Sequence, residues 1–468
     1  IGYAAKLSSG NRFQKMNTLF LFFAISCYCK GYKLNLYQIY SQKNMKLRNK
    51  ILTLLTLLLA MGSAIQAQDF ATRVKKDKDI AAGVYHPYHH GDLTDTPAPK
   101  GYAPFYISHY GRHGSRYHTG DRFFKAGIAG LEKAMKEGIL NETGKRLYHD
   151  FFTIVNEHNG MEGELSPRGA LEHRGIASRM YERFPEVFRD KSRYEVDSKA
   201  SIVPRCLISM ANFTTQLKDE NPRLQFTFDT GKKYYNYIAK SIPSTELFDT
   251  CNHYEDSVRA ATCHYDKLME LIFTDKEKGI AAVKDPQKFI KSIFLTGSIC
   301  GDLDFLGIDL FDYLDPEELA EQSLVRSDKF YGQFGNSLEW GATSSAVAKD
   351  LVNDFVSKAD AALAKVSARA ADLRFGHDTG ILPFFGLIGI KGMDIRYPMS
   401  EGHEHWTTYD NIPMGTNFQM VFYRNKKDDI LVKMLYNEQE TGIPALTPVS
   451  GPYYKWSDVR EHFISVAR

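Results

Sequence analysis

The chain has little of what marks a nucleic-acid, membrane or zinc protein. An excess of one charge is missing: 59 Lys+Arg stand against 56 Asp+Glu over 468 residues, with no long basic stripe. That excludes the usual electrostatic footprint of a nucleic-acid binder. After residue 67 no apolar run is long enough to cross a bilayer, so no stable membrane insertion is expected of the mature chain. Cysteine is scarce, six in all, and Cys27 and Cys29 precede that point. The remaining Cys206, Cys251, Cys263 and Cys300 are an even number, compatible with an oxidising compartment. Cys251 and Cys263 are close enough in sequence to staple a helical hairpin, but three pairings are open and buried free thiols serve equally well. Zinc spacing is absent too. His86, His89 and His90 fit no ligand pattern, and His403-Glu404-His405 is not the His-Glu-x-x-His helix motif. Both runs read as loop residues, and no metal is assigned to them.

The first 67 residues are set apart from the fold. A basic stretch (45–50), an apolar run (51–61) and the small residues Gly62, Ser63, Ala64 and Ala67 form a secretory signal peptide over 45–67. No cysteine closes the apolar run, which argues against a lipoprotein anchor. Residues 1–44 precede Met45 and open on Ile1. They are expected to be spurious upstream sequence, the alternative being a genuine extension with its own short anchor at 19–29. A secreted or periplasmic location is expected. Taking the first 67 from 468 leaves 401 residues, enough for a large core divided into two lobes.

What is present is chemistry at strand ends. A strand-like run over 103–109 leads into Tyr110-Gly111-Arg112-His113-Gly114-Ser115-Arg116. The C-terminal edge of a strand is where open α/β sheets bind ligands. Two planar guanidinium groups suit an oxyanion, and the imidazole between them can serve as nucleophile, base or acid. Arginine and histidine in a loop are more often solvated surface, so this run alone decides little. A second junction changes the balance: Leu373-Arg374-Phe375-Gly376-His377-Asp378 again ends a strand on a histidine, with an apolar helix after it. His377 and Asp378 fall at that helix's N-terminus, where free N–H groups favour negative charge.

Together these motifs resemble the histidine acid phosphatases, the branch of the histidine phosphatase superfamily that includes phytases. Arg112-His113-Gly114-Ser115-Arg116 is similar to the family's Arg-His-Gly-x-Arg, and His377-Asp378 to its distal His-Asp. The surrounding residues look most like multiple inositol-polyphosphate phosphatases, and family-like features run from about Tyr102 to Glu438. Two departures stand out. His118 replaces the proline of the common Arg-x-Pro-Thr continuation. His377-Asp378-Thr379 stands where the inositol-polyphosphate enzymes usually carry His-Ala-Glu, which puts the substrate in doubt but not the reaction class.

The resemblance implies an α/β fold: a mainly parallel central sheet flanked by helices, a phosphoglycerate-mutase-like core, with an inserted and mostly helical lobe. The core is expected over 68–225 and 345–468 and the lobe over 226–344. Helical periodicity supports a helix through Phe124, Ile128, Leu131 and Met135, and Ser166-Pro167 is a strong helix start. His173 on that helix reads as packed or capping. Helices are expected over 254–273 and 316–330, and a hairpin over 417–423 and 430–436. Arg205, a few residues past a strand at 193–198, matches the family arginine that completes the phosphate pocket; its plain alternative is a surface helix arginine.

By resemblance, then, the chain is a secreted acid phosphatase of phosphomonoesters, with phytate or other inositol phosphates as candidate substrates. His113 would be the nucleophile and Asp378 the proton donor. Arg112, Arg116, Arg205 and His377 would bind the phosphate. The only partner expected is a small-molecule phosphomonoester, and the chemistry requires no cofactor. The oligomeric state is left open. Two other readings remain: a phosphomutase of the same superfamily, against which the signal peptide argues, and a phosphate-ester-binding protein with little catalysis.

Overall fold

Strand β1 (Ala103–Arg112) is buried from Phe105 onward, and its alternate residues feed two different cores. Tyr106 and Tyr110 point into one, Ile107 into the other. A strand covered on both faces has no solvent-facing side, and here Ser108, His109 and Arg112 are buried with the apolar residues. The computed structural model describes residues 69–468 apart from positions 240, 241, 243 and 365. The expected signal peptide and upstream segment lie outside the described residues.

β1 is joined in one mixed sheet by β2 (Glu195–Ala200), β3 (Gln225–Thr230), β4 (Arg369–Gly376), β5 (Asn417–Arg424), β6 (Ile430–Tyr436), β7 (Gln439–Thr441) and β8 (Tyr453–Lys455). The order is β3-β2-β4-β1-β5-β6-β7, with β8 also on β6. The β3-β2-β4-β1 half is parallel, and the hairpin half is antiparallel. Register aligns the strand ends: Arg112 pairs with Gly376, and Ala200 with Phe375. The next residues along each strand, His113, His377 and Ser201, therefore leave the sheet at one level.

Helices cover both faces. α1 (Lys125–Glu137) buries Leu131 and Ala134 and stops at Gly138, whose φ of 67° only glycine adopts readily. Next come α2 (Glu142–His158) and α3 (Pro167–Arg183); the latter starts on Ser166, whose hydroxyl accepts the Gly169 N–H, with Pro167 in its first turn. α4 (Pro204–Glu220) also opens on proline. α3 and α4 cover one face through Ile176, Met180, Met210, Phe213 and Leu217.

After β3 the chain is helical: α5 (Thr245–Thr262), α6 (Asp266–Ile272), α7 (Lys276–Val283), α8 (Pro286–Gly297) and α9 (Pro316–Phe334). Returning helices α10 (Lys349–Leu363), α11 (Asp378–Ile388) and α12 (Trp456–Ala467) pack on the other face around Phe355, Phe384, Phe385 and Phe463. Two elements differ from the sequence reading. Residues 226–230, placed at the start of a helical lobe, are in strand β3 on the edge of the sheet; Phe226 and Phe228 alternate with Gln225, Thr227 and Asp229 as a strand requires, a short signal that the sequence reading passed over. The helix expected over 254–273 breaks at Cys263, which caps α5, before α6 begins. α1 and α2 pack against α6, α7 and α8, joined by a bridge between Leu140 and Phe273. All four described cysteines are buried free thiols.

Candidate active site

The two strand ends are tied before any side chain acts. His113 N–H donates to Gly376 O at 2.9 Å, and Ser201 N–H to Phe375 O at 2.9 Å. Gly114 then presses the loop against the start of α3. A Cβ added there would come within 2.5 Å of Gly169 O, so only glycine permits the approach. Glu172, one turn into α3, fixes the loop by accepting Ser115 N–H (2.8 Å), Ser115 Oγ–H (2.7 Å) and Tyr88 N–H (2.8 Å).

His113 is buried, and its Nδ1 lies 2.9 Å from Gly114 O. A carbonyl only accepts, so Nδ1 carries the proton and Nε2 the lone pair. Burial, then the charges of Arg205, Arg112 and Arg116, hold this imidazole well below its ordinary value, and it is neutral.

Arg112 is wholly buried and held like a fixture. Its Nη1 donates to Val84 O at 2.8 Å and Ile412 O at 2.7 Å, while Nη2 lies 3.0 Å from Asp378 Oδ2. Arg116 Nη1 donates to Tyr117 O (2.7 Å), with its guanidinium 5.3 Å from the centre of the Tyr85 ring. Arg205 on α4 donates to Gly163 O (3.2 Å) and to His377 Nδ1 (3.4 Å). All three arginines keep a buried Nε–H without a protein partner among the described residues. Three converging guanidinium groups with such spare donors suit an oxyanion.

His377 caps α11, and its ring centre lies 5.7 Å from that of His113. Because Nδ1 accepts from Arg205, Nε2–H donates to Ser201 Oγ at 3.0 Å. Burial and the Arg205 charge keep it neutral, below its ordinary value. Asp378 accepts Thr379 N–H at 2.8 Å. Burial pushes its carboxyl up, but Arg112, Arg116 and His377 pull harder, and the net position is below the ordinary carboxylate range.

The structure thus brings Arg112, His113, Arg116, Arg205, His377 and Asp378 to one place. Other contributors carry no local signature: Glu172, Ser201, Tyr85, and Arg326 from α9, whose Nη2 donates to Tyr85 OH at 3.1 Å. Asp302, buried beside Ser115 and Arg116, has its carboxyl pushed well above the ordinary range by burial. His118, where proline was expected, is buried and bonds Leu295 O at 2.7 Å across to α8. His173 packs against Phe375 and Phe213. His86 and His89 stack around Tyr409, and His403 pairs with Asp328 at 2.9 Å.

This fold and this site define a phosphatase built around histidine. Residues 111–437 match the histidine phosphatase superfamily (branch 2), and the chain belongs to that family. No curated protein matches it. Among solved structures it is similar to the multiple inositol polyphosphate phosphatase of Bifidobacterium longum in complex with inositol hexasulfate, at 19% identity and a TM-score of 0.68. The match covers 81% of this chain and 96% of that one. It is also similar to the phytase from D. castellii, at 17% identity and TM-score 0.60, over 83% and 85% of the two chains. At these identities the likeness is one of fold.

Proposed function

We propose that this phosphatase hydrolyses phosphomonoesters through a phosphohistidine formed on His113. The observation that carries the reading is the tautomer: a neutral imidazole whose Nδ1–H is held by Gly114 O, leaving the Nε2 lone pair among three arginines. Nε2 attacks phosphorus as the ester P–O bond breaks, dividing one hard displacement into two easier ones. Arg112, Arg116 and Arg205 hold the phosphoryl oxygens and stabilise the charge of the transition state. His377 steadies Arg205 and has Ser201 behind it.

Asp378 gives its proton to the departing alkoxide, then takes one from the water that attacks phosphohistidine. In the free enzyme this carboxyl is ionised against Arg112. A bound phosphate shares the charge of the arginines and raises the carboxyl's affinity for a proton, so an acidic optimum is expected.

The helices between β3 and β4 are assigned the substrate-recognising lobe, and the substrate class is inositol phosphates. Arg326 supports this. The Tyr85 ring lies between Arg116 and Arg326, at 5.3 and 5.1 Å, which sets a lobe cation one aromatic ring from the phosphate clamp. Behind it Arg259, Lys291 and Lys329 gather on the buried carboxylate of Glu255, Lys291 also pairing with Asp256 at 3.4 Å, which adds three further cations to that side of the lobe. An ester bearing several phosphates suits such a surface, as in the inositol polyphosphate phosphatase and phytase whose folds the chain shares. The secretory leader supports a location outside the cytoplasm.

Acid quench after mixing with a ³²P-labelled ester tests the central step. Label should be trapped on His113 in the parent enzyme, while His113→Ala gives a folded protein without label or turnover. Label on any other residue refutes the mechanism, and a parent that binds phosphate yet never turns over p-nitrophenyl phosphate would be a binding protein.

A further inference from the structure

A second cluster lies outside the reacting groups, where the turn after His118 meets the loop after α2. His158, the last residue of α2, is 1% exposed. Its Nε2–H donates to His118 O at 2.8 Å, since a carbonyl only accepts, and Nδ1 is the ring atom left on the Asp121 side. That nitrogen makes no hydrogen bond among the described residues. It faces Asp121 Oδ1 at 4.0 Å, and with a carboxylate oxygen of Glu162 the three ligand atoms all lie within 4.8 Å of one another. No lysine or arginine is paired with Asp121 or Glu162 among the described residues. One imidazole nitrogen and two carboxylates at this range form a donor set that a cation would complete.

We propose that Asp121, His158 and Glu162 bind a divalent transition-metal ion of the zinc class. One imidazole nitrogen and two carboxylates, with room for water at the exposed side, suit Zn²⁺ or Co²⁺; the imidazole disfavours Ca²⁺ and Mg²⁺. Closing to bonds of about 2.0–2.2 Å requires the carboxylates to swing inward. Both are exposed, Glu162 exchanging its bond from Gly160 N–H (3.1 Å) for the ion, while the buried imidazole is already oriented by the His118 carbonyl. The residues are scattered at 121, 158 and 162, which is why no metal-ligand spacing appears in the sequence.

The site bears on the phosphate clamp through the backbone. His118 O also accepts Gly163 N–H (2.7 Å), Tyr117 N–H donates to Glu164 O (3.1 Å), and Gly163 O accepts from Arg205. A bound ion would pin the segment behind Arg116 to the loop that holds Arg205. These are positioning residues that act through Arg116 and Arg205, so their effect is read in phosphate affinity and in kcat/KM.

The test is titration of the metal-free full protein with ZnCl₂, and separately with CoCl₂ followed by visible absorption. One equivalent should bind saturably, the cobalt form should show a ligand-field band, and the unfolding temperature should rise. Asp121→Asn with Glu162→Gln should weaken binding by about a hundredfold and abolish the band. Because both residues are exposed, this variant folds even if His158→Ala does not. Removing the metal should weaken inhibition by inorganic phosphate and lower kcat/KM for a simple monoester severalfold; a polyphosphate is unsuitable because it chelates zinc. Absence of saturable binding, unchanged binding in the double variant, or a His158 ring that stays protonated on both nitrogens in the presence of zinc would overturn the proposal.

Discussion

Replacing Asp378 by Asn tests the proton-donor role proposed for it apart from everything else that residue does. The amide keeps the size of the side chain and an oxygen for Thr379 N–H, now at 2.8 Å, so the start of α11 survives. Arg112 stays in place, because Val84 O and Ile412 O hold it independently of the carboxylate. What is lost is the proton and the negative charge 3.0 Å from Arg112. General acid catalysis contributes roughly 10²–10⁴-fold, so phosphorylation by an alkyl phosphate should slow by that factor, or about 3–5 kcal/mol of barrier. With p-nitrophenyl phosphate, whose leaving group departs unprotonated, the loss should stay within about tenfold. Phosphate should bind the variant more tightly, since Arg112 no longer shares its charge. The measurement is a rapid-quench burst, which isolates phosphorylation from hydrolysis of the phosphohistidine. Thr379 cannot substitute, its hydroxyl being too weak an acid. Equal losses for the two leaving groups in the burst would refute Asp378 as the donor and turn attention to Asp302, the carboxyl beside Arg116 that burial pushes well above its ordinary range.

The same ion pair sets a pH signature. Asp378 is depressed in the free enzyme and relieved once phosphate shares the arginine charge, so the alkaline limb of kcat should lie at higher pH than that of kcat/KM for an alkyl phosphate; coincident limbs would count against it. Arg205→Ala removes a charged contact worth roughly 1.5–3 kcal/mol, and inhibition by inorganic phosphate should weaken by about one to two powers of ten. Unchanged inhibition would reduce Arg205 to a helix-surface arginine. Arg326→Ala should raise KM for inositol hexakisphosphate severalfold while sparing p-nitrophenyl phosphate; equal effects on both would remove its role in recognising a second phosphate.

The legible parts of the molecule were those whose physics is local. Ser166-Pro167 announces α3 because a cap and a fixed φ act within one turn, and the 417–436 hairpin comes from alternation. The Arg-His-Gly-x-Arg and His-Asp runs could be read because each sits at a strand end and resembles a known signature. Illegible were contacts closed by the fold. The carbonyls that hold Arg112 lie 28 and 300 residues away, and no pattern near Arg112 names them. Arg326 has the helical spacing of any surface residue until Tyr85 is placed beneath it. β3 does alternate, Phe226 and Phe228 against Thr227 and Asp229, but the run is too short to stand out before a long helical stretch. Cys251 faces Met399 and Cys263 ends a helix, so nearness in sequence did not become nearness of sulfurs.

The anchoring of Arg112 also sets a timetable. β1 is made early, yet its neighbours β4 and β5 begin at residues 369 and 417, and one of the carbonyls that fixes Arg112 belongs to residue 412. On a growing chain, β1 waits with both edges unpaired while more than 250 residues emerge, a condition that invites mispairing with other chains. A ribosome-bound or truncated fragment has no tethered clamp and hence no phosphatase. The groups that fix Arg112 are therefore complete only once residue 412 has been made, late in the chain.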